Sequence, residues 1–366
     1  MQTTLTREEL LKPLSHVVGV VERRQTLPIL SYVLMRLQSG EMSLTGTDLE
    51  IEIVASIKKI DSADFELALP ARKLFDICRA LPADTEIMIK KEGERAVIKS
   101  GKSRFTLATV AVTDFPYIQA SQWEQALTIS QGKIKKLFEQ THFCMAQQDV
   151  RYYLNGLLLE LNDKRLRAVA TDGHRMAISE ISLDKSLKGE KQAIVPRKGV
   201  QEIMRLLDDS DDSIDIQIGV NHFRAKTGNF TFTSKLIDGR YPDYTKVVPH
   251  TETKQLKLPR EPFRETLNRV AILSSEKYRG VRLSLGDHTL RVTAHNPEQE
   301  EAQEEVGVDY TGEGLEIGFN VNYLVDAISA LQSKFVNFGL NDPNSSCVLS
   351  SPDARYPQYV IMPMRL

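Results

Sequence analysis

At 366 residues the chain is long enough for two or three domains, each burying its own core. Apolar residues (41%) and charged residues (26%) stand at ordinary globular levels, which excludes wholesale disorder and fibrous architecture. Forty-seven basic residues against 49 acidic ones give a net charge of -2, so any nucleic-acid partner must be met by a local basic surface.

In chain order, the first predicted element is a helix opening at Thr6, where Thr6 and Glu9 make a capping box and Leu10, Leu14, Val17 and Val21 form an apolar stripe. A strand then ends in the polar pair Thr47-Asp48, and a second helix after Pro70 carries Leu74, Ile77, Cys78 and Leu81. The same order returns twice. Helices opening at Ser130 and Pro259 carry Ile134, Leu137, Phe138 and then Phe263, Leu267, Val270. Polar pairs recur at Thr171-Asp172 and His295-Asn296, and the positions 48, 172 and 296 are each separated by 124 residues (172 − 48 and 296 − 172). Second helices follow Pro196, with Val200, Ile203, Met204 and Leu207, and Asn320, with Leu324, Ile328 and Leu331. Between them, alternation such as Ile214, Ile216, Ile218 or Phe230, Phe232 marks strands, and Thr227-Gly228-Asn229 and Gly286-Asp287 mark hairpin turns. The fold class is α+β: three repeated domains, each with two helices and antiparallel sheet, over residues 1–122, 128–247 and 252–366. The short polar linkers, Gln119 to Ala126 and Val248 to Lys257, join them closely.

Three widely spaced cysteines (Cys78, Cys144, Cys347) fit neither a disulfide framework nor a zinc site, and the apolar runs are too short to export the chain or span a bilayer, so a cytoplasmic protein is expected. No phosphate-binding loop, zinc-binding helix or nucleophile elbow occurs, and the glycines of Gly312-Glu-Gly314 lead into a strand, as a hairpin turn does. Thr171-Asp-Gly-His-Arg175 alone resembles a catalytic cluster. Asp48 and Asn296 hold the equivalent position without a His-Arg pair, which favours a strand end with Asp172 bonding the turn and Gly173 at positive φ. No cofactor or metal is expected.

Basic residues recur on the repeated helices: Arg72, Lys73, Arg79; Lys133, Lys135, Lys136; Arg197, Lys198, Arg205; Arg264, Arg269. On one surface such faces would make a positive stripe for phosphates that reads no sequence, to which Arg23-Arg24 and Arg151 with Tyr152-Tyr153 could add contacts. A basic cluster (Arg95, Lys99, Lys102, Arg104) beside Phe105 and Leu107, against acidic Glu298, Glu300, Glu301, Glu304 and Glu305, points to head-to-tail association. The apolar end Tyr359-Val-Ile-Met-Pro-Met-Arg-Leu366 either docks in the core or lines a groove.

Leu44-Thr-Gly-Thr-Asp-Leu-Glu50, Pro70-Ala-Arg-Lys73, Gln148-Asp-Val-Arg-Tyr-Tyr-Leu-Asn-Gly156, Thr171-Asp-Gly-His-Arg175, Val195-Pro-Arg-Lys198, Asp238-Gly-Arg-Tyr-Pro-Asp-Tyr244, Asn296-Pro-Glu-Gln-Glu300 and Met362-Pro-Met-Arg-Leu366 together resemble the bacterial sliding-clamp family, the beta subunits of DNA polymerase III. The resemblance implies a head-to-tail homodimeric ring that encircles double-stranded DNA and tethers polymerases for processive synthesis, with no catalysis of its own. Twelve helices about 10 Å wide would leave roughly 28 Å clear for a duplex. It implies a short linear peptide of the polymerase III alpha subunit, the clamp-loader delta subunit, other polymerases and repair proteins, seated among Leu154, Thr171, Gly173, His174, Arg175, Met176, Pro242, Lys246, Val247, Tyr323, Ser346, Val360, Met362, Pro363 and Met364, with Arg151 and Tyr153 flanking. DNA contacts implied are Arg24, Arg72, Gln148, Tyr152, Tyr153 and Arg197; the subunit contact sets Phe105 and Leu107 against Ile272 and Leu273, rimmed by Arg95, Lys102, Arg104, Glu298, Glu300, Glu301 and Glu304. The rivals are an enzyme working through Asp172 and His174 and a peptide-binding scaffold that forms no ring.

Overall fold

A computed structural model describes residues 2–21, 27–58, 60, 63–119, 122–187, 189–249 and 251–365; Arg23, Arg24 and the linker residues 120, 121 and 250 lie outside the described residues. The predicted capping box closes the first helix: the Thr6 hydroxyl accepts the Glu9 N–H (3.3 Å) while a Glu9 carboxylate oxygen accepts the Thr6 N–H (2.8 Å).

The first repeat runs β1 (Gln2–Thr6), α1 (Arg7–Val18), β2 (Tyr32–Gln38), β3 (Glu41–Thr47), β4 (Ile51–Lys58), β5 (Phe65–Pro70), α2 (Ala71–Ala80), β6 (Glu86–Glu92), β7 (Arg95–Ser100) and β8 (Ser103–Ala108). The second repeats that order: β9 (Trp123–Ser130), α3 (Gln131–Glu139), β10 (Gly156–Asn162), β11 (Arg165–Thr171), β12 (Arg175–Ser182), β13 (Glu190–Pro196), α4 (Arg197–Leu206), β14 (Ser213–Gly219), β15 (His222–Lys226) and β16 (Phe230–Lys235). The third comprises β17 (Lys254–Pro259), α5 (Arg260–Val270), β18 (Gly280–Gly286), β19 (Thr289–His295), β20 (Glu301–Gly307), β21 (Leu315–Asn320), α6 (Val321–Ala330), β22 (Phe335–Leu340), β23 (Cys347–Ser351) and β24 (Ala354–Ile361). All six predicted helices and the three polar strand ends are present. The helical stripes are buried except Ile77 and Met204, which are half-buried.

Two compact units result. The first, Met1–Gly132 with Gln201–Leu236, holds a four-stranded sheet in the order β1-β6-β7-β8 and an eight-stranded sheet in the order β5-β2-β3-β4-β16-β15-β14-β9. The second, Lys133–Val200 with Ile237–Leu366, holds an eight-stranded sheet β13-β10-β11-β12-β24-β23-β22-β17 and a four-stranded sheet β20-β19-β18-β21. Each eight-stranded sheet is therefore shared by two neighbouring repeats, joined at β4·β16 and β12·β24. The two joints have one register. Glu52, opposite the strand-end residue Thr47, faces Thr233; Met176, opposite Thr171, faces Val360. Every ladder pair in the sheets is antiparallel; β14 alternates, burying Ile214, Ile216 and Ile218, whereas β10 buries Leu157, Leu158 and Leu159 in succession.

Arginines at the starts of helices finish their neighbours. Arg7 donates to the carbonyls of Cys78 (2.9 Å) and Arg79 (3.3 Å), and Arg260 to that of Leu331 (2.6 Å), satisfying oxygens that a helix end leaves unpaired.

Candidate partner groove and nucleic-acid contacts

The turn before β12 is held by its own side chains. Asp172 accepts the N–H groups of His174 (2.9 Å) and Arg175 (3.0 Å); Thr171 Oγ1 accepts the Gly173 N–H (3.0 Å) and donates to the Arg175 carbonyl (2.7 Å). In the first repeat Asp48 likewise accepts from Glu50 (2.9 Å) and Ile51 (2.7 Å), and in the third Asn296 accepts from Glu300 (2.8 Å). The same Asx turn in two repeats, with a related side-chain bond at the equivalent position of the third, is architecture and not a catalytic pair. Gly173 has φ of +89°, and a Cβ there would lie 2.9 Å from the Arg151 guanidinium, so glycine serves both the turn and the close approach.

Beside β12 runs β24, whose end is pinned by the Met362 N–H donating to the His174 carbonyl (2.9 Å). Together with the segment around Pro242 and the 3₁₀ turn Tyr152–Asn155, the two strands enclose a groove of about 370 Å³. Its lining gathers Arg151, Leu154, Thr171, Gly173, His174, Arg175, Met176, Pro242, Val247, Ser346, Val360 and Met362, and adds Asp243 and Tyr244. Beneath lies a packed cluster of Leu154, Leu158, Met176, Tyr241, Tyr244 and Val360. An apolar floor with polar groups at the edge suits an extended peptide with bulky side chains.

Lys246, Tyr323, Pro363 and Met364 fall outside that lining. Lys246 pairs with Asp243 (3.2 Å), and the Met364 N–H donates to the Gly318 carbonyl (2.8 Å) on β21. Arg175, expected among the residues that seat the peptide, lines the groove but is tied down: it bonds Asp172 (3.1 Å), Asp326 on α6 (2.6 Å) and the Phe143 carbonyl (2.9 Å), and lies 4.4 Å from the Tyr323 ring centroid. Arg151 grips Asp149 through two bonds (3.0 and 2.8 Å) and reaches the Asp172 carbonyl (3.3 Å); these bonds hold the Asp149 carboxyl down at about 2. Tyr241, Tyr244 and Asp326 were not identified from sequence. Tyr241 and Tyr244 flank Pro242 in the quoted motif, and Asp326 is an ordinary helical aspartate.

Of the candidate DNA contacts, Tyr152 is 57% exposed, Tyr153 packs half-buried beside it, and Gln148 is exposed with φ of +57°. Arg72 donates to the Val21 carbonyl (3.2 and 2.7 Å) and Arg197 to the Met145 carbonyl (2.9 Å), so both guanidiniums are partly engaged within the chain. Other basic residues read onto helix faces are consumed within the chain: Arg205 caps α1 at Ser15 and His16 (2.8 and 2.6 Å), Arg264 pairs with Glu261 (2.7 Å) and Arg269 with Glu304 (2.6 Å).

At the candidate subunit contact, Ile272 is 75% exposed, Phe105 and Leu273 are half-buried, and Leu107 is already buried. Arg95, Lys102, Arg104, Glu298, Glu300 and Glu301 are exposed, whereas Glu304 is engaged by Arg269 and Thr266. Among the described residues no cluster of His, Cys, Asp or Glu could hold a metal ion, and no helix is long and apolar enough to cross a membrane.

Three copies of one α+β unit joined through shared sheets, with a peptide-sized apolar groove and structural aspartates where a catalytic pair was conceivable, define a clamp-type binding protein. Models of the DNA polymerase III beta subunit match its N-terminal domain at residues 1–119, its central domain at 128–243 and its C-terminal domain at 245–365. The chain is 50% identical to the beta sliding clamp of Pseudomonas aeruginosa and 48% to that of Escherichia coli K12, covering 100% of both chains in each case. A crystal structure of the P. aeruginosa clamp bound to griselimycin superposes with a TM-score of 0.97 at 50% identity, again over 100% of each chain. The chain belongs to the DNA polymerase III beta subunit family, and its function is that of a sliding clamp: a non-catalytic processivity subunit in DNA replication.

Proposed function

We propose that two copies of this chain close head to tail into a ring around duplex DNA, with β20 of one copy pairing with β8 of the other. One observation carries the reading: β4 pairs with β16 and β12 with β24 in a single register, which among the described residues leaves only β20 and β8 without the partner that their position in the repeat calls for. Glu301 stands opposite the strand-end residue His295, as Glu52 and Met176 stand opposite theirs. Tracing the ladders from β8 through β7 and β6 to β1 makes Thr106 the counterpart of Thr233 and Val360. The third joint therefore sets Glu301 opposite Thr106, Ala302 opposite Phe105 and Glu300 opposite Leu107. Such pairing brings Arg104 diagonal to Glu301 and Glu305 on one face, within reach of long side chains.

A cysteine pair tests that register, because a disulfide forms only where Cα atoms approach within about 7 Å. Thr106→Cys/Glu301→Cys should cross-link into a covalent dimer under mild oxidation; the three native cysteines are buried and stay out of the reaction. Thr106→Cys/Gln303→Cys, displaced along the strand, should not. Cross-linking of the displaced pair alone would refute the register.

The finer reading assigns Arg24, Arg72, Gln148, Tyr152, Tyr153 and Arg197 to phosphates and exposed bases, and the groove to short peptides of polymerase and clamp-loader subunits. The domains run over 1–122, 128–247 and 252–366, and the protein works in the cytoplasm. Groove binding is measured by titrating griselimycin. Deleting Met362 to Leu366 removes a wall residue and the bond to His174, and should weaken binding at least tenfold while the dimer persists. Affinity within threefold of the full chain would remove the terminus from the site.

A further inference from the structure

One wall of the groove is the segment Tyr241 to Val247, and its ends are anchored in different ways. Near Pro242 the Tyr241 hydroxyl accepts the Thr171 N–H (3.1 Å), fixing the wall to the turn before β12. The other end is the 3₁₀ turn Tyr244–Val247, which carries the exposed lip residue Val247 and the Asp243–Lys246 ion pair. Among the described residues no strand ladder includes that turn. Its anchor is the Tyr244 ring, buried among Leu154, Leu158, Met176 and Val360, with the hydroxyl passing through to polar groups behind.

Those groups form a continuous network behind the groove. The Tyr244 hydroxyl donates to the Glu160 carboxylate on β10 and accepts from Arg167 Nη1 on β11 (3.0 Å). Arg167 in turn is held by Glu180 on β12 (2.9 and 2.6 Å), donates to the Tyr356 hydroxyl (3.2 Å) and lies 5.4 Å from the Tyr356 ring centroid. Glu160 also accepts from Gln192 (2.7 Å). Behind the network lies a polar recess of about 130 Å³ lined by Glu160, Arg165, Arg167, Glu180, Glu190 and Lys191, so the charged ends face a wet side while the ring faces the groove.

We infer that Arg167 is a positioning residue for the groove: through the Tyr244 hydroxyl it sets where the Tyr241–Val247 wall stands, and so the width offered to a peptide. Charge-assisted bonds from both sides make this tie stronger than a neutral hydrogen bond, and planar Arg167 serves Glu180 and two tyrosines at once, which Lys does not. Burial, reinforced by the bond to Glu160, pushes the Tyr244 hydroxyl up to about 12, so it stays protonated and keeps donating at neutral pH. The inference rests on reading the groove as the partner site.

The test is a mutant cycle on griselimycin binding with the full-length protein. Tyr244→Phe and Arg167→Met should each weaken griselimycin about tenfold, and the double variant should also lose about tenfold, because both changes cut one tie. Arg167→Lys, which keeps the charge but cannot serve Glu180 and both tyrosines at once, should weaken binding in the wild type and change nothing in Tyr244→Phe; it serves if Arg167→Met does not fold. The inference is overturned if Arg167→Met, or Arg167→Lys in its place, binds within twofold of wild type, or if the double variant loses a hundredfold, the signature of independent effects. The chain truncated before Met362 separates the two readings. If griselimycin binds wild type and truncated protein equally, the groove reading fails and the inference with it. If truncation abolishes binding and the Arg167 variants do not affect it, only the inference fails.

Discussion

Ile272→Ala probes the proposed subunit joint at its most exposed apolar residue. Ile272 follows α5 in the 3₁₀ turn Ala271–Leu273 and is 75% exposed in the single chain, so most of its surface is still available for burial by a second copy. Complete burial of such a side chain is worth about 1.5–3 kcal/mol, so truncation forfeits about 1–2 kcal/mol at each joint. A closed ring of two copies has two joints, and the total of about 2–4 kcal/mol corresponds to a dimer roughly 30- to 1000-fold weaker. The rim charges should matter less, since exposed pairs contribute about 0–1 kcal/mol each and Glu304 is already bonded to Arg269 within its own chain. Sedimentation velocity across nanomolar to micromolar concentrations reads the constant directly. Ile272→Ala should populate folded monomer where wild type is dimeric, with its thermal unfolding nearly unchanged because so little of the side chain is buried in the monomer. A dimer constant within threefold of wild type would refute the placement of the joint.

Removing Arg175 should destabilise the second unit by about 3 kcal/mol in urea unfolding, because Asp172 and the Phe143 carbonyl lose a half-buried partner while the more exposed Asp326 is partly screened. Arg175→Lys should recover only part of this, since a point charge cannot reach all three oxygens; a loss under 1 kcal/mol for Arg175→Ala would contradict the assignment. Arg72→Gln with Arg197→Gln should flatten the salt dependence of DNA binding by about 0.9 per lost phosphate contact, leaving dimerisation intact, whereas an unaltered slope returns both to ordinary surface residues. His16 and His142 are held below the ordinary histidine value, chiefly by burial and also by nearby Arg205 and Arg197 respectively. Both take up protons more readily when unfolded than when folded, so their contribution to stability is complete above about pH 6.5 and is lost as pH drops below it. Urea melts from pH 7.5 to 5 should show that loss, and His16→Gln/His142→Gln should reduce it; equal losses would remove the histidines from the explanation.

The helices were legible because their stripes recur at helical spacing and because each second helix follows its strand directly. The structural role of Asp172 was legible through its copies, Asp48 and Asn296. The shared sheets were not. Alternation tells which face of a strand is buried but not which strand lies at its edge, and Phe230 opposite Ala55 joins residues in different repeats. Lone basic residues misled for the same reason: Arg269 reads as an exposed helix cation, while its partner Glu304 lies 35 residues away on β20. The groove could be outlined from the motifs that line it, yet its rear support could not, because Arg167 and Glu160 look like ordinary exposed positions on alternating strands and only the fold brings Tyr244 between them.

Topological linkage to DNA is tested most directly by retention on closed and open substrates. The protein is loaded with its clamp loader on nicked circular DNA, separated from free protein by gel filtration at a salt concentration that suppresses direct phosphate contacts, and the circle is then cut once. A ring that encircles the duplex stays on the circle and leaves after linearisation, unless the ends are blocked by bound protein. Equal loss from circular and linear DNA, or equal retention on both with free ends, would contradict encirclement.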